Sequence, residues 1–310
     1  MKLVSLERVA TQTLLGVRFW DRLLERPVTD GLYVTAQRIE HDGGGNPTRR
    51  LGRAVVGQAA SSGVIAFFGL HLGERVSPDP AQQLWETPPA PSIVAVDVTD
   101  RQRRYLPMSF EVSVPLGTRG AFKGNSALLR PAVPAGEEPG VYLWSAPARP
   151  ALDGRAVICA QVVVGAGPQP APAPYALVEI SPAGGAVYSG LTDENGTLRL
   201  PMPYPPVPEP GDDEDYPPLK NQTFALDVKI YYQANQQKKL PGSDVPAMAA
   251  LLNQAQARIG THWNSAHPAA LQTRLTAGKT LRFGEPLILR TAFGSANAEK
   301  TESFLRIVPV

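Results

Sequence analysis

Two stretches of the chain, one in each half, carry the same three-block pattern, and this duplication constrains the fold more than any other feature. The first copy is PVTDGLYVTAQRIE (residues 27–40), ASSGVIAFFGL (60–70) and SIVAVDVTDRQRRYLPMSFEVSVP (92–115). The second is YALVEISPAGGAVYSG (175–190), LTDENGTLRLPMPYP (191–205) and FALDVKIYYQ (224–233). Each copy holds an alternating strand, a small-polar turn with Gly, a short apolar strand, a proline-broken loop and another alternating strand. An alternation of period two puts one face of a strand in a core and the other in water. The pattern therefore predicts two β-sandwich modules in tandem, a scaffold that presents surfaces.

Composition agrees with that reading. At 310 residues and 43% hydrophobic, the chain can build a core in each half without disulfides or metals. Its 28 glycines and 32 prolines suit many short strands joined by turns. The net charge is only +2, with +3 on residues 1–150 and −1 on residues 151–310, and leaves no basic stripe for nucleic acid. Arg101, Arg103 and Arg104 are expected to cap an exposed hairpin. The single cysteine, Cys159, rules out an internal disulfide, and in the apolar run AVICAQVVV it reads as a buried, inert thiol. Glu7 and Arg8 interrupt the apolar start, so no signal peptide is expected, and no run reaches the length of a membrane span. Cytoplasmic residence follows as an expectation.

Residues 1–10 read as an N-terminal arm, 11–150 as the first sandwich and 151–310 as the second. Leu15, Val17 and Phe19 alternate, as do Leu32, Val34 and Ala36. Residues 41–47 read as a flexible loop and 64–70 as a strand covered on both faces. The proline-broken segment 78–91 reads as a connection, with Trp85 plugging one end of the sandwich. Residues 93–98 form a buried strand broken by Asp97, and 131–150, with Tyr142 and Trp144, reads as the link between modules.

In the second half, 155–164 reads as a strand, 167–174 as polyproline and Asn195-Gly196 as a hairpin turn. One amphipathic helix is expected near 244–259. Ser243 or Asp244 caps it, Val245, Met248, Leu251, Leu252, Ala255 and Ile259 form its apolar stripe against the second sandwich, and Gly260 ends it. Residues 281–289 and 304–308 should return to the sheet.

Catalytic motifs are missing from the sequence: no nucleophile elbow, no metalloprotease His pair, no phosphate-binding glycine loop. His262 and His267, five residues apart, would lie on different faces of a helix. Glu209, Asp212, Asp213, Glu214 and Asp215 form the one cation-site candidate, but the surrounding prolines would splay the roughly six to eight oxygens calcium needs. The run reads instead as a projecting loop whose Tyr204 and Tyr216 suit protein contact. No enzyme activity, metal or cofactor is expected.

The block 175–205 resembles the carboxypeptidase regulatory-like (transthyretin-like) sandwich, through Thr192, Asp193, Gly196 and the strand 198–205 that ends in prolines. The resemblance implies a seven-strand Greek-key sandwich without catalysis. With the repeat, it predicts a mainly β fold of two tandem Greek-key sandwiches of transthyretin or immunoglobulin type, plus the one helix. More of the chain looks like the two-module proteins encoded with phage-tail-like contractile injection systems. The carrying stretches are RFWDRLLERPVTDGLYVTA (18–36), SSGVIAFFGLHLGER (61–75), DVTDRQRRYLPMSFEVSVP (97–115), YLWSAPAR (142–149) and the second-module block. That resemblance implies a structural subunit at the cap or its adaptor, present in several copies around a symmetric ring. Its partners would be tail, sheath, tube or cap proteins, with no nucleic acid or membrane. The alternative is a peptide- or carbohydrate-binding β-sandwich module.

Overall fold

The computed structural model describes residues 13, 15–70, 92–114, 140–150, 152–165, 169–182, 185–207, 218–259, 274–275, 280–293 and 300–308. The chain is mainly β, built as sandwiches, with one short α-helix among the described residues.

The first half contributes β1 (Gly16–Asp21), β2 (Arg26–Pro27), β3 (Leu32–His41), β4 (Pro47–Val56), β5 (Gln58–Ala59), β6 (Val64–Ala66), β7 (Ser92–Asp100), β8 (Met108–Val114) and β9 (Val141–Leu143). One sheet runs β4-β3-β7-β8, antiparallel throughout. In the other, β1 pairs antiparallel with β6 and parallel with β9. Between the sheets lie Val17, Phe19, Val34, Ala36, Val94, Val96, Phe110 and Val112, with Phe19 edge-on to Phe110. The expected alternations thus mark core faces. The covered strand expected at 64–70 stops at Ala66, because Phe67 turns into the core and Phe68 points out. The loop after β3 is a closed turn, where the Asp42 carboxylate accepts from the Gly44 and Asn46 amides.

The stretch containing Tyr142 and Trp144 is no linker. β9 lies in the first core, with Val141, Tyr142, Leu143 and Trp144 all buried. Burial on both sides removed the alternation that marks an ordinary strand.

The second half contributes β10 (Arg155–Val164), β11 (Ala171–Pro172), β12 (Leu177–Pro182), β13 (Tyr188–Leu191), β14 (Thr197–Pro203), β15 (Thr223–Tyr231) and α1 (Met248–Leu252). It continues with β16 (Gln256–Ile259), β17 (Arg274–Leu275), β18 (Thr280–Arg282), β19 (Leu287–Leu289), β20 (Thr291–Phe293), β21 (Lys300–Thr301) and β22 (Leu305–Val308). Its pairing repeats that of the first half. β12 lies between β13 and β15, as β3 lies between β4 and β7. β10 pairs antiparallel with β14, as β1 does with β6. The place of β8 beside β7 is shared by β16 and β18 beside β15, and the place of β9 by β19 and β22, both parallel to β10. β16 also pairs with β22, which ties the two sheets together along that side.

The repeat extends to single hydrogen bonds. In each half a two-residue strand ending in proline returns against the end of the first long strand, Trp20 opposite Pro27 and Val163 opposite Pro172. The next amide then donates back, Val28 to Phe19 O and Ala173 to Val162 O, at 2.9 and 3.0 Å. The turn before β6 matches the turn before β14: Gly63 donates to Ala60 O, and Gly196 to Asp193 O. Across each turn one side chain donates to the carbonyl before the glycine, Arg18 to Ser62 O and Gln161 to Asn195 O.

The Asp193–Gly196 turn is not the expected two-residue type: Gly196 N donates to Asp193 O and Asp193 N to Thr197 O, which closes a three-residue turn. Of its residues only Gly196 has positive φ (76°), whereas a two-residue primed turn needs two such residues. It leads the chain from β13, which pairs with β12, to β14, which pairs with β10. Asp193 accepts from the Asn195 and Thr197 amides, and the buried Thr192 hydroxyl bridges Ala176 N to Ala173 O. A Cβ at Gly196 would press on the Val162 carbonyl and stand 3.0 Å from Ala173 N. Gly154 has φ 70° with nothing near. Gly154→Ala should cost about 1 kcal/mol from backbone conformation alone, and Gly196→Ala about 2 kcal/mol or more, measured by urea unfolding.

The expected helix over 244–259 shrinks to α1. Pro246 precedes it, Ala247 caps it without a side-chain bond, and the chain leaves helix at Asn253. Gln254 ends it: buried, its amide donates to Leu251 O and Tyr175 O and its oxygen accepts from Gln233 N and Gln237 Nε2. Residues 256–259 then pair with β15 as strand. Met248 and Leu251 are buried and Asn253 and Gln256 exposed as expected, but Leu252 is half-buried. The buried pair also packs into the first core rather than the second.

Candidate functional site

The functional geometry lies at the junction of the two halves. Two contacts between the halves and a buried ion pair beside them build it, each from residues far apart in sequence.

The segment between β15 and α1 lies across the outer face of the first module. Leu240 and Ala247 pack on Ile39 and Ala95, and Ala247 makes a single bridge to Ser109 on the outer edge of β8. Under this cover Arg50 forks onto Asp97, with Nη2 to Oδ1 at 3.0 Å, and also donates to Pro241 O. Ser109 Oγ donates to Asp97 at 2.8 Å. Asp97, the polar break in an apolar strand, thus holds an anchor for the second half.

The second contact is a cleft of about 270 Å³ lined by Arg22 and Glu25 after β1, Tyr142 and Trp144 at β9, and Tyr188 and Arg199 from the second module. The Arg22 guanidinium lies 4.9 Å from the Trp144 ring centre and 5.5 Å from that of Tyr142. It reaches Ser189 Oγ at 3.4 Å, while Tyr142 donates to the Glu25 carboxylate at 3.0 Å. Burial pulls the Arg22 pKa down, and Tyr142, Glu25 and Glu179 act against that pull. Arg199 crosses in the other direction and donates to Arg149 O at 3.0 Å.

The third feature is the buried ion pair of Asp21 and Arg149, at the end of β1 and just after β9. Arg149 donates to both carboxylate oxygens (2.5 and 3.3 Å) and to Ser145 Oγ, and Tyr105 Oη donates to Asp21 at 2.6 Å. The remaining lone pairs of Asp21 accept from the Leu23 and Leu24 amides. Burial pushes the Asp21 carboxyl up, yet hydrogen bonds from Arg149 and Tyr105 and the Arg149 charge hold it below its ordinary value. Burial, then the hydrogen bond to Asp21, push the Tyr105 phenol up. Satisfied on every side, this group fixes the loop that carries Arg22.

Of the residues expected to make protein contacts, Glu209, Asp212, Asp213, Glu214, Asp215 and Tyr216 lie outside the described residues, as does Trp85. Tyr204 is half-buried against Phe283 (ring centres 4.5 Å apart) and Phe224, and its hydroxyl accepts from Gly284 N. Among the arginines of the β7–β8 turn, Arg104 binds Asp30 and Asp100, and Arg101 lies over Tyr33. Cys159 is half-buried, with its thiol pushed up by burial. No described group of three or more His, Cys, Asp or Glu side chains could hold a metal ion, and no described helix is long and apolar enough to cross a membrane.

Comparison with known proteins adds little. No family model and no curated protein matches the chain. Among solved structures, the C-terminal fragment of the pilus adhesin SpaC from Lactobacillus rhamnosus GG aligns at 8% identity, covering 96% of each chain, with a TM-score of 0.20. The same adhesin in its open conformation aligns at 10% identity over 95% of this chain and 31% of the adhesin, with a TM-score of 0.19. Likeness of that degree carries no inference about fold or function.

Proposed function

We propose that this chain is a structural subunit of a contractile injection particle, acting at its cap or as an adaptor to it. The sequence resemblance to proteins encoded with such particles suggests the particle. The observation that carries the structural role is the junction. A polar anchor at Arg50, Asp97 and Pro241, an apolar seam at Ile39, Ala95, Leu240 and Ala247, and the Arg22 cleft fix the two sandwiches against each other. A chain built this way presents its outer surfaces at set distances and angles, as a part of a symmetric ring must. The aromatic side chains of the cleft are covered by Arg22 rather than offered as a platform, which weighs against a sugar-binding module.

Imaging particles from cells that lack the gene tests the proposal. Altered caps, aberrant tube lengths or missing density at one end are expected. Particles of normal length with complete ends would overturn it and return the peptide- or carbohydrate-binding reading.

A further inference from the structure

Each unpaired strand edge is a template for another chain, so every edge in a soluble sandwich must be covered, blunted or used. In this molecule most are covered or blunted. The outer edge of β8 carries Ala247 and neighbours α1. In the second half β16 and β22 pair with each other, so that side is closed. The edge of β14 contains Pro201 and Pro203, which lack the amide hydrogen a ladder needs. β13 faces the Arg22 cleft through Tyr188, Ser189 and Gly190.

β4 is different. Its ten residues pair only with β3 among the described elements, and its residues are exposed or at most half-buried. Arg49 and Arg53 project from it. Arg49 is held by Glu40 at an open position, and Arg53 has no side-chain partner among the described residues. Arginines on an edge repel a generic apolar strand, but they favour a strand that brings carboxylates opposite them.

The chain supplies such a segment. Residues 209–215 hold five carboxylates, Glu209, Asp212, Asp213, Glu214 and Asp215, and no proline interrupts 211–216. We propose that the outer edge of β4, unpaired among the described residues, takes the acidic run of a second copy of this chain as an added strand. Main-chain bonds would set the geometry, and Arg49 and Arg53 the choice of guest. Edge and acidic run are different surfaces, so the contact is head-to-tail and propagates to a ring or a filament. The inference rests on the sheet edges and not on the particle reading, and purified protein tests it.

Analytical ultracentrifugation of the full chain should show concentration-dependent association that weakens at least tenfold as salt screens the arginines. Arg49→Glu with Arg53→Glu should give a monomer, and so should Asp212→Lys with Asp213→Lys and Asp215→Lys. Mixing the two variants should restore association, because each edge then meets a run of opposite charge. A wild-type chain that stays monomeric at every concentration overturns the proposal, whether the run folds back on its own copy or binds nothing. So does association that survives both charge reversals, or variants of unchanged melting temperature that fail to associate when mixed.

Discussion

Arg149→Leu should destabilise the protein by about 3–5 kcal/mol, one of the two largest losses expected of any single substitution considered. The change leaves the Asp21 carboxylate buried without its cation, and breaking one side of a buried pair costs more than the pair itself contributes. Urea unfolding followed by tryptophan fluorescence measures it, with Trp144 in the affected core. The pH dependence gives an independent check. In the wild type the folded pKa of Asp21 lies below its unfolded value, so its stabilisation is complete above the ordinary carboxylate range. It is lost as pH falls through the folded value. In the variant, burial of Asp21 is no longer offset by Arg149, so the deficit relative to the wild type should grow as pH rises from acid toward neutral. A deficit under 1 kcal/mol, or one equal at pH 4 and pH 7, would mean that the ion pair does not organise this end of the first module.

Leu251→Ala should cost about 2–5 kcal/mol, since Leu251 is 3% exposed and packs with Met248 in the first core. Asn253→Ala, two residues on and exposed, should change stability by less than about 0.5 kcal/mol. Because Leu251 belongs to the second half of the sequence and the core of the first, its loss should also loosen the junction. Proteolysis between the halves should then speed up along with unfolding. An effect near zero would mean that α1 lies on the first module without holding it.

The repeated blocks were legible because each contains strands with one buried face. Val34 and Ala36 in β3, and Val178 and Ile180 in β12, sit at alternate or near-alternate positions for that reason. The three blocks correspond, in order, to β3, β6 and β7 with β8 in the first copy, and to β12 with β13, β14 and β15 in the second. β4 escaped because neither of its faces is well buried, so PTRRLGRAVV carries no period. β9 escaped for the opposite reason.

The helix was overdrawn because Leu251, Leu252, Ala255 and Ile259 fit a helical stripe, while Ala257 and Ile259 equally fit a strand. Nothing local shows that the Gln254 side chain is needed to bind Tyr175, Gln233 and Gln237 from other segments as well as Leu251 in its own. The cleft was invisible for a similar reason. Arg22, Trp144 and Tyr188 become neighbours only through pairings such as β1 with β9.

The bridge from Ala247 to the edge of β8 also has a temporal side. A ribosome finishes β8 at residue 114 long before it reaches residue 247, and at about 5–20 residues per second the interval is on the order of ten seconds. Throughout that time the emerging N-terminal sandwich has a bare strand edge and an uncovered patch at Ile39 and Ala95. Nascent chains on one messenger therefore carry the same sticky edge side by side. Slow translation or a stop codon after the first sandwich should yield inclusion bodies rather than a soluble fragment, and full-length expression should depend on chaperones that hold strands apart.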